Sequence, residues 1–136
     1  MVNFTWTDQQ ITYGVPAFDE EHQDLARMLN ELCIAIDEDN FERMGKLFET
    51  FRDAMFGHFA HEEQVMRDTA YPGYEQHLQE HSNLMKELDE TGQHLSNVRD
   101  KDMDMFLVNH LSYILLGHIM TTDALYMPYF KEKGII

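Results

Sequence analysis

Apolar residues recur at steps of three and four along most of this chain, which is the spacing of an amphipathic α-helix. Four stretches of this kind are separated by short segments that are polar or contain proline and glycine. They predict helices over about residues 19–37, 41–66, 74–94 and 103–127. Helices of similar length with short connections favour an all-α fold, an up-down-up-down four-helix bundle, which can hold metal sites in its core.

The two ends of this pattern carry further expectations. Residues 1–17 show no sustained helical period, so we expect an extended N-terminal arm whose Phe4 and Trp6 pack on the body. The last predicted helix should stop at Pro128, because proline interrupts the helical hydrogen bonds. Its inward apolar set is predicted to be Phe106, Leu107, Leu111, Ile114, Leu115 and Ile119.

Length and charge narrow the class of protein. A chain of 136 residues is the size of one domain, and we expect residues 1–136 to form a single unit. The 25 acidic residues outnumber the 10 basic ones, and the formal charge of −15 argues against binding to nucleic acid or anionic lipid. We find no secretion signal and no apolar stretch of membrane-spanning length. We therefore expect a cytoplasmic monomer without membrane insertion.

Cysteine usage agrees with that location. Cys33 is the only cysteine, so the chain cannot form an internal disulfide, and a reducing compartment is its natural setting. Because Cys33 lies on an apolar stripe, we interpret it as a small buried hydrophobic residue rather than a reactive thiol.

The eight histidines divide into an inward and an outward set. An α-helix turns by about 100° per residue, so each histidine can be placed relative to the apolar stripe of its own helix. His61, His94 and His110 fall away from the stripes and are predicted to face solvent. The side chains predicted to face the core are five histidines and two carboxylates: His22, His58, Glu62, His77, His81, His118 and Asp123.

This inward set suits a pair of transition-metal ions. Buried carboxylates and imidazoles without a cation would cost several kcal/mol for each uncompensated charge. His58 with Glu62, and His77 with His81, are four residues apart, so each pair lies one turn apart on one helix face. Iron accepts a mixture of imidazole and carboxylate, whereas structural zinc prefers four ligands that include cysteine.

Asp123 fits this set less simply. It follows His118 by five residues, which separates the two side chains by about 140° on a regular helix. Two hypotheses would bring them together: the helix is locally widened toward π geometry, or Asp123 reaches in from the flank. The third interpretation is that Asp123 is a surface carboxylate.

Four motifs together resemble those of the bacterial hemerythrins, a family of non-haem di-iron proteins that bind oxygen. The resemblance covers nearly the whole chain. The motifs are Phe18-Asp19-x-x-His22, His58-Phe59-x-x-Glu62-Glu63-x-x-Met66, Tyr71-Pro72 before His77-x-x-x-His81, and His118-Ile119-x-x-x-Asp123.

The resemblance implies a cofactor of two iron ions, Fe²⁺ or Fe³⁺, with a bridging oxo or hydroxo group. It assigns His77, His81 and His118 to one iron and His22 and His58 to the other. Glu62 and Asp123 would bridge the two ions. Two octahedral ions have twelve positions, of which these ligands and the bridge fill eleven. The open position then lies on the iron with two histidines and would bind O₂.

The surroundings of that position follow from the same resemblance. We expect an apolar oxygen pocket formed by Leu25, Phe59, Leu115 and Ile119, although ordinary core packing explains each of them equally well. Family members often have Gln at the position of Glu21 and Trp at the position of Ile114. The first difference is expected to affect only the surface, and the second to enlarge the pocket.

The resemblance implies reversible O₂ binding for storage, transport or delivery, without enzymatic turnover. A redox partner or an oxygen-consuming protein would then be its partner besides O₂. One alternative is a di-iron oxidase that releases peroxide, but such enzymes use Glu-x-x-His motifs, and this chain has none. The other alternative is a sensor of oxygen or iron.

Overall fold

The computed structural model describes residues 16–97 and 100–134, and within these ranges the side chains of 96 and 122–124 are left undescribed. The expected packing of Phe4 and Trp6 therefore lies outside the described residues. The predicted arm over residues 1–17 reaches too far, because residues 16 and 17 are helical. Pro16 is the first residue of its helix, where its missing N–H costs no hydrogen bond and its fixed φ suits the helix.

The described residues form an all-α bundle, as the apolar pattern predicted. Its elements are α1 (Pro16–Asp37), α2 (Phe41–Asp68), α3 (Tyr74–Asn97), α4 (Lys101–His118), a π-helical turn (Ile119–Asp123) and α5 (Ala124–Glu132). Helix α1 packs against α2 and α4, and α3 packs against the same two helices. The four long helices therefore surround one shared core.

Local polar groups set the connections between helices. Asp39 adopts a φ of 57°, a left-handed conformation that ends α1, and Asp is among the residues that tolerate it. The side chain of Asn40 then accepts a hydrogen bond of 3.2 Å from the backbone N–H of Arg43 and caps α2. Asp100 caps α4 in the same way, by accepting from the backbone N–H of Met103 at 3.2 Å.

The apolar core has two parts. The larger part lies between the four long helices and contains Cys33, which is buried as expected. Burial raises the pKa of its thiol to about 11, which keeps it protonated and unreactive at neutral pH. The smaller part, formed by Phe18, Met66, Tyr126 and Phe130, joins α5 to the ends of α1 and α2.

Two predictions about the last helix were wrong. Phe106 faces solvent rather than the core, because the inward face of α4 is taken by Val108, Leu111 and Leu115. Pro128 lies inside α5 and does not end it. A proline removes one hydrogen bond from the helix, but Tyr126 and Phe130 on either side of it are fully buried and hold the backbone in place.

None of the helices in the described part of the chain combines the length and apolar character that crossing a membrane requires.

Candidate metal centre

All five histidines of the predicted inward set are buried in the structure. His22 comes from α1, His58 from α2, His77 and His81 from α3, and His118 from the last position of α4. The rings of His77, His81 and His118 have centroids between 4.4 and 5.2 Å apart. The rings of His22 and His58 are 4.7 Å apart.

The outward set is only partly solvent-facing. His110 is exposed, as predicted. His61 and His94 are half-buried rather than solvated. The ring of His61 lies against Phe18, with centroids 4.7 Å apart, which explains its partial burial.

Glu62 lies between the two groups of histidines and is fully buried. Its Oε1 is 3.2 Å from Nε2 of His81 and 3.9 Å from Nε2 of His77. Its Oε2 is 3.5 Å from Nε2 of His58. The two oxygens of one carboxylate therefore face different sets of imidazole nitrogens.

The donor atoms fit two metal ions. Glu62, His77, His81 and His118 each offer one donor atom, and these atoms lie within 4.8 Å of one another. His22, His58 and Glu62 form a second group that meets the same limit. Among the described residues, neither Oε1 of Glu62 nor Nε2 of His81 makes a hydrogen bond, although both atoms are buried. Buried polar atoms of this kind are costly unless a cation compensates them.

The backbone near Asp123 is π-helical. Residues Ile119–Asp123 form a π turn directly after His118, which is the local widening suggested by the spacing of these two residues. The side chain of Asp123 is outside the described residues, so its role as a ligand stays a prediction.

Three carboxylates stand behind buried histidines of this cluster, and sequence reasoning missed the role of all of them. Nδ1 of His58 donates to Glu21 at 2.6 Å, and Nδ1 of His81 donates to Glu63 at 2.8 Å. Nδ1 of His118 lies 3.3 Å from Oε2 of Glu80. A carboxylate on Nδ1 fixes the tautomer that leaves the lone pair on Nε2, which is the nitrogen turned toward the core.

Glu21 was expected to affect only the surface, and this expectation was wrong. Its two oxygens accept hydrogen bonds from Nδ1 of His58 and, at 2.8 Å, from Nδ1 of His61. Partial burial raises the pKa of the Glu21 carboxyl, but the hydrogen bonds and charges of the two histidines outweigh this effect. The pKa of Glu21 is therefore below its ordinary value of 4.5.

Tyr126 is a further residue of the centre that the sequence pattern did not indicate. Its hydroxyl donates a hydrogen bond of 2.6 Å to Oε2 of Glu62, and the pair is buried. Its ring also lies nearly parallel to that of His77, with centroids 5.6 Å apart. The helix that follows the π turn therefore orients the shared carboxylate.

Apolar side chains surround the centre. Leu25, Phe59, Leu115 and Ile119, the predicted oxygen pocket, are all buried in the larger core. Phe59 stacks on His81 with centroids 3.8 Å apart and an angle of 12° between the rings. Ile114 lies at the edge of this region, in an open cleft of about 220 Å³ that reaches His118.

Comparison with known families identifies this arrangement. A family model described as the hemerythrin HHE cation binding domain matches residues 13–130. The chain is a member of this hemerythrin family. The buried His and Glu cluster, which could hold a metal, therefore lies in a domain of a family described as cation-binding.

Relatives of this hemerythrin domain are named bacteriohemerythrin. One from Stenotrophomonas maltophilia is 28% identical over 131 residues, which cover 96% of this chain and 84% of the relative. One from Methylococcus capsulatus is 25% identical over 128 residues and covers 94% of this chain and 97% of the relative. One from Pseudomonas aeruginosa is 27% identical over 127 residues, with coverage of 93% and 81%.

Solved structures confirm the fold of the hemerythrin domain. The crystal structure of a hemerythrin mutant superposes with a TM-score of 0.83 and 23% sequence identity. The superposition covers 94% of this chain and 97% of that one.

Proposed function

We propose that this hemerythrin domain binds O₂ reversibly at a di-iron centre and so stores, transports or delivers oxygen. The observation that carries this proposal is the position of Glu62, whose oxygens face a group of three histidines on one side and two on the other. A shared carboxylate between unequal groups suits two ions with different coordination.

In this proposal His77, His81 and His118 hold one iron, and His22 and His58 hold the other. Glu62 and Asp123 would be shared between the two ions, together with an oxo or hydroxo group. The ion held by two histidines would keep an open position. Ferrous iron at such a position supplies the electrons that O₂ accepts on binding and returns on release.

The protein's own side chains make binding rather than turnover the expected outcome. Reversible binding requires that water and strong acids stay away from the bound gas. Phe59, Leu115 and Ile119 are buried around the ligand histidines and exclude water there. The carboxylates of Glu21 and Glu63 each accept a hydrogen bond from Nδ1 of a ligand histidine and therefore hold that proton away from the apolar side.

The physiological setting follows from the same chemistry. A reductant or reductase must keep the iron ferrous, and an oxygen-consuming protein would be the natural recipient. The cytoplasm is the compartment we propose.

Spectroscopy of the reduced, iron-loaded protein tests the proposal. Mixing it with O₂ should give a coloured adduct that disappears under vacuum and returns on re-aeration, with two irons per chain. An adduct that decays in a single pass to ferric protein with released peroxide would contradict reversible binding and favour an oxidase.

Two histidines on the same helix provide a matched pair of variants. His58→Ala removes a proposed ligand. Loss of a residue that only supports a ligand weakens metal binding by up to about 100-fold, so loss of a ligand itself should weaken iron binding by more than that. We also expect His58→Ala to abolish the adduct. His61→Ala removes an imidazole that also donates to Glu21 but whose ring is half-exposed. His61→Ala should keep two irons and a reversible adduct. Equal loss of iron and of the adduct in both variants would contradict the ligand assignment.

A further inference from the structure

The outward face of α4 is apolar, unlike that of an ordinary bundle helix. Six exposed residues at steps of three and four form this face, five from α4 and the last from the start of the π turn: Met103, Phe106, His110, Tyr113, Gly117 and Met120. From Met105 to Thr122 the sequence contains no Asp, Glu, Lys or Arg, although 26% of the whole chain is charged. We call the six residues the α4 face.

The charge of the whole chain restricts what can cover this face. Each copy carries a formal charge of −15, so two copies repel each other wherever acidic surfaces meet. Between Met105 and Thr122, α4 and the start of the π turn add no carboxylate to this surface, so this part of the helix contributes nothing to that repulsion. Contiguous exposed apolar surface of this kind marks interaction sites in soluble proteins.

The order of residues on the α4 face is self-complementary. A twofold axis perpendicular to α4, passing just outside this face at the level of Leu111 and Ser112, brings a second copy alongside in antiparallel orientation. It places Met103 opposite Met120, Phe106 opposite Gly117 and His110 opposite Tyr113. A Cβ atom built on Gly117 would meet nothing within 4 Å, so the partner's Phe106 ring has room there. This is an isologous contact, in which the same patch serves both copies.

We propose that the α4 face is a homodimer interface in which two α4 helices pack antiparallel, with Phe106 of each copy over Gly117 of the other. Phe106, which the sequence pattern placed in the core, is exposed on this face. The interface lies on the outside of α4, opposite the metal ligands, and therefore adds an assembly to the proposed function rather than a part of the site.

The available area indicates a weak, concentration-dependent dimer. Phe106 and Tyr113 are 64% and 78% exposed, and Met103 and Met120 are 42% and 47% exposed. At roughly 200 Å² for a large side chain, these four contribute about 450 Å² per copy. A standard interface buries about 800 Å² per partner, so the helix edges must supply the remainder, and affinity is expected near the micromolar range.

Sedimentation of the full-length, iron-loaded protein tests the dimer. We expect a mass of two chains at high protein concentration, with stronger association in about 0.5 M NaCl because salt screens the repulsion between acidic copies. If a basic protein is instead the natural partner of the α4 face, its association with this chain should weaken as the salt concentration rises. A single-chain mass at high protein concentration and high salt would overturn the proposal.

Two exposed phenylalanines give a matched pair of variants. Phe106→Glu should weaken association by about 30-fold or more, as expected for a central aromatic residue. Phe56→Glu changes an equally exposed phenylalanine, 62% against 64%, on α2 and should leave association unchanged. Equal effects of the two substitutions would contradict an interface on α4. A shift in the fluorescence of Trp6, the single tryptophan, on Phe106→Glu without a change of mass would assign the face to the N-terminal arm instead.

Disulfide trapping tests the orientation. In one chain, residues 106 and 117 are about 16 Å apart along the helix, too far for a disulfide. A protein carrying both Phe106→Cys and Gly117→Cys should therefore form a covalent dimer on oxidation only across the interface. A protein carrying Phe106→Cys alone should not, because the two copies of residue 106 lie about 16 Å apart along the antiparallel helices. Equal crosslinking in the second variant would overturn the proposed register.

Discussion

Three of the five buried histidines have an acidic residue behind the ring, on the nitrogen that points away from the core. The closest pair is Nδ1 of His58 with Glu21 at 2.6 Å. A carboxylate in this position orients the ring and makes its Nε2 a stronger donor to a cation. A stronger donor favours ferric over ferrous iron, so these acids should influence how readily the oxygenated protein oxidises.

Glu21 should therefore tune the centre without touching it. Glu21→Gln keeps an oxygen that can accept from His58 but removes the charge, whereas Glu21→Ala removes both. We expect Glu21→Ala to weaken iron binding by about 10- to 100-fold and Glu21→Gln to weaken it less. Glu21→Gln should also raise the reduction potential and slow autoxidation, which a potentiometric titration and the decay of the oxygenated spectrum would measure.

The neighbouring Glu20 provides the control for charge alone. It is exposed, and Glu20→Gln removes the same charge from the same turn of α1. It should leave both the potential and the autoxidation rate unchanged. If Glu20→Gln and Glu21→Gln shift the potential equally, the effect belongs to the net charge of the surface and not to the hydrogen bond with His58.

The burial of the five histidines was predictable from sequence, but the residues that support them were not. Five inward histidines stand out because imidazoles seldom fall on apolar stripes together. Glu21, Glu63 and Glu80 lie at helix edges, where an acidic residue in a chain with 25 of them is usually solvated. The hydrogen bond between Tyr126 and Glu62 was not predictable for a different reason. It depends on the helical register that the π turn sets.

At the scale of helices, one close contact between α2 and α3 depends on glycine. A Cβ atom built on Gly92 would lie 2.6 Å from Cε1 of Phe48, a buried ring of the larger core. Gly92→Ala should therefore destabilise the protein by about 1–3 kcal/mol despite the better helix propensity of alanine. Denaturant unfolding of the iron-loaded protein would measure the change.

Gly45 is the matched control, because it lies within α2 and its added Cβ would meet nothing within 4 Å. Gly45→Ala should stabilise the protein by up to about 1 kcal/mol through helix propensity alone. The two substitutions are thus expected to have opposite signs. Stabilisation by both would show that Phe48 moves aside freely and that the contact between the helices is not tight.

The helices also show where sequence patterns reach their limit. The periodicity predicted the four long helices because each buries one apolar stripe, and packing in the bundle follows that stripe. The periodicity failed on α4 because that helix is apolar on both its inward and its outward face. Spacing alone therefore could not show which of the two faces carries Phe106. It failed at Pro128 as well, since burial of Tyr126 and Phe130 stabilises the helix against the lost hydrogen bond.

For the whole molecule, the buried centre and the acidic surface affect stability differently. The formal charge of −15 is spread over the surface and produces repulsion that any salt can screen. The buried histidines and Glu62 instead offer donor atoms that a cation of the right chemistry in the core would compensate. Metal binding and folding should therefore be coupled, because the unfolded chain cannot present this set of donors.

Removing the iron should lower the melting temperature markedly. A ligand that binds only the folded state stabilises it by RT ln(1 + [L]/Kd), which is about 4 kcal/mol when free metal exceeds Kd by about 1000-fold. For a chain of this size that corresponds to roughly 10 °C or more, measurable by calorimetry of the loaded and chelator-treated protein.

Magnesium distinguishes stabilisation by metal in the core from stabilisation by charge neutralisation at the surface. It prefers oxygen ligands, so it can neutralise surface carboxylates without entering a site rich in imidazole. Added to the iron-free protein, Mg²⁺ should raise the melting temperature only as much as its ionic strength does, whereas Fe²⁺ should restore the full value. An iron-free protein that melts with the loaded form, or that Mg²⁺ rescues as well as Fe²⁺, would show that the histidine cluster contributes little to folding and that surface charge controls stability.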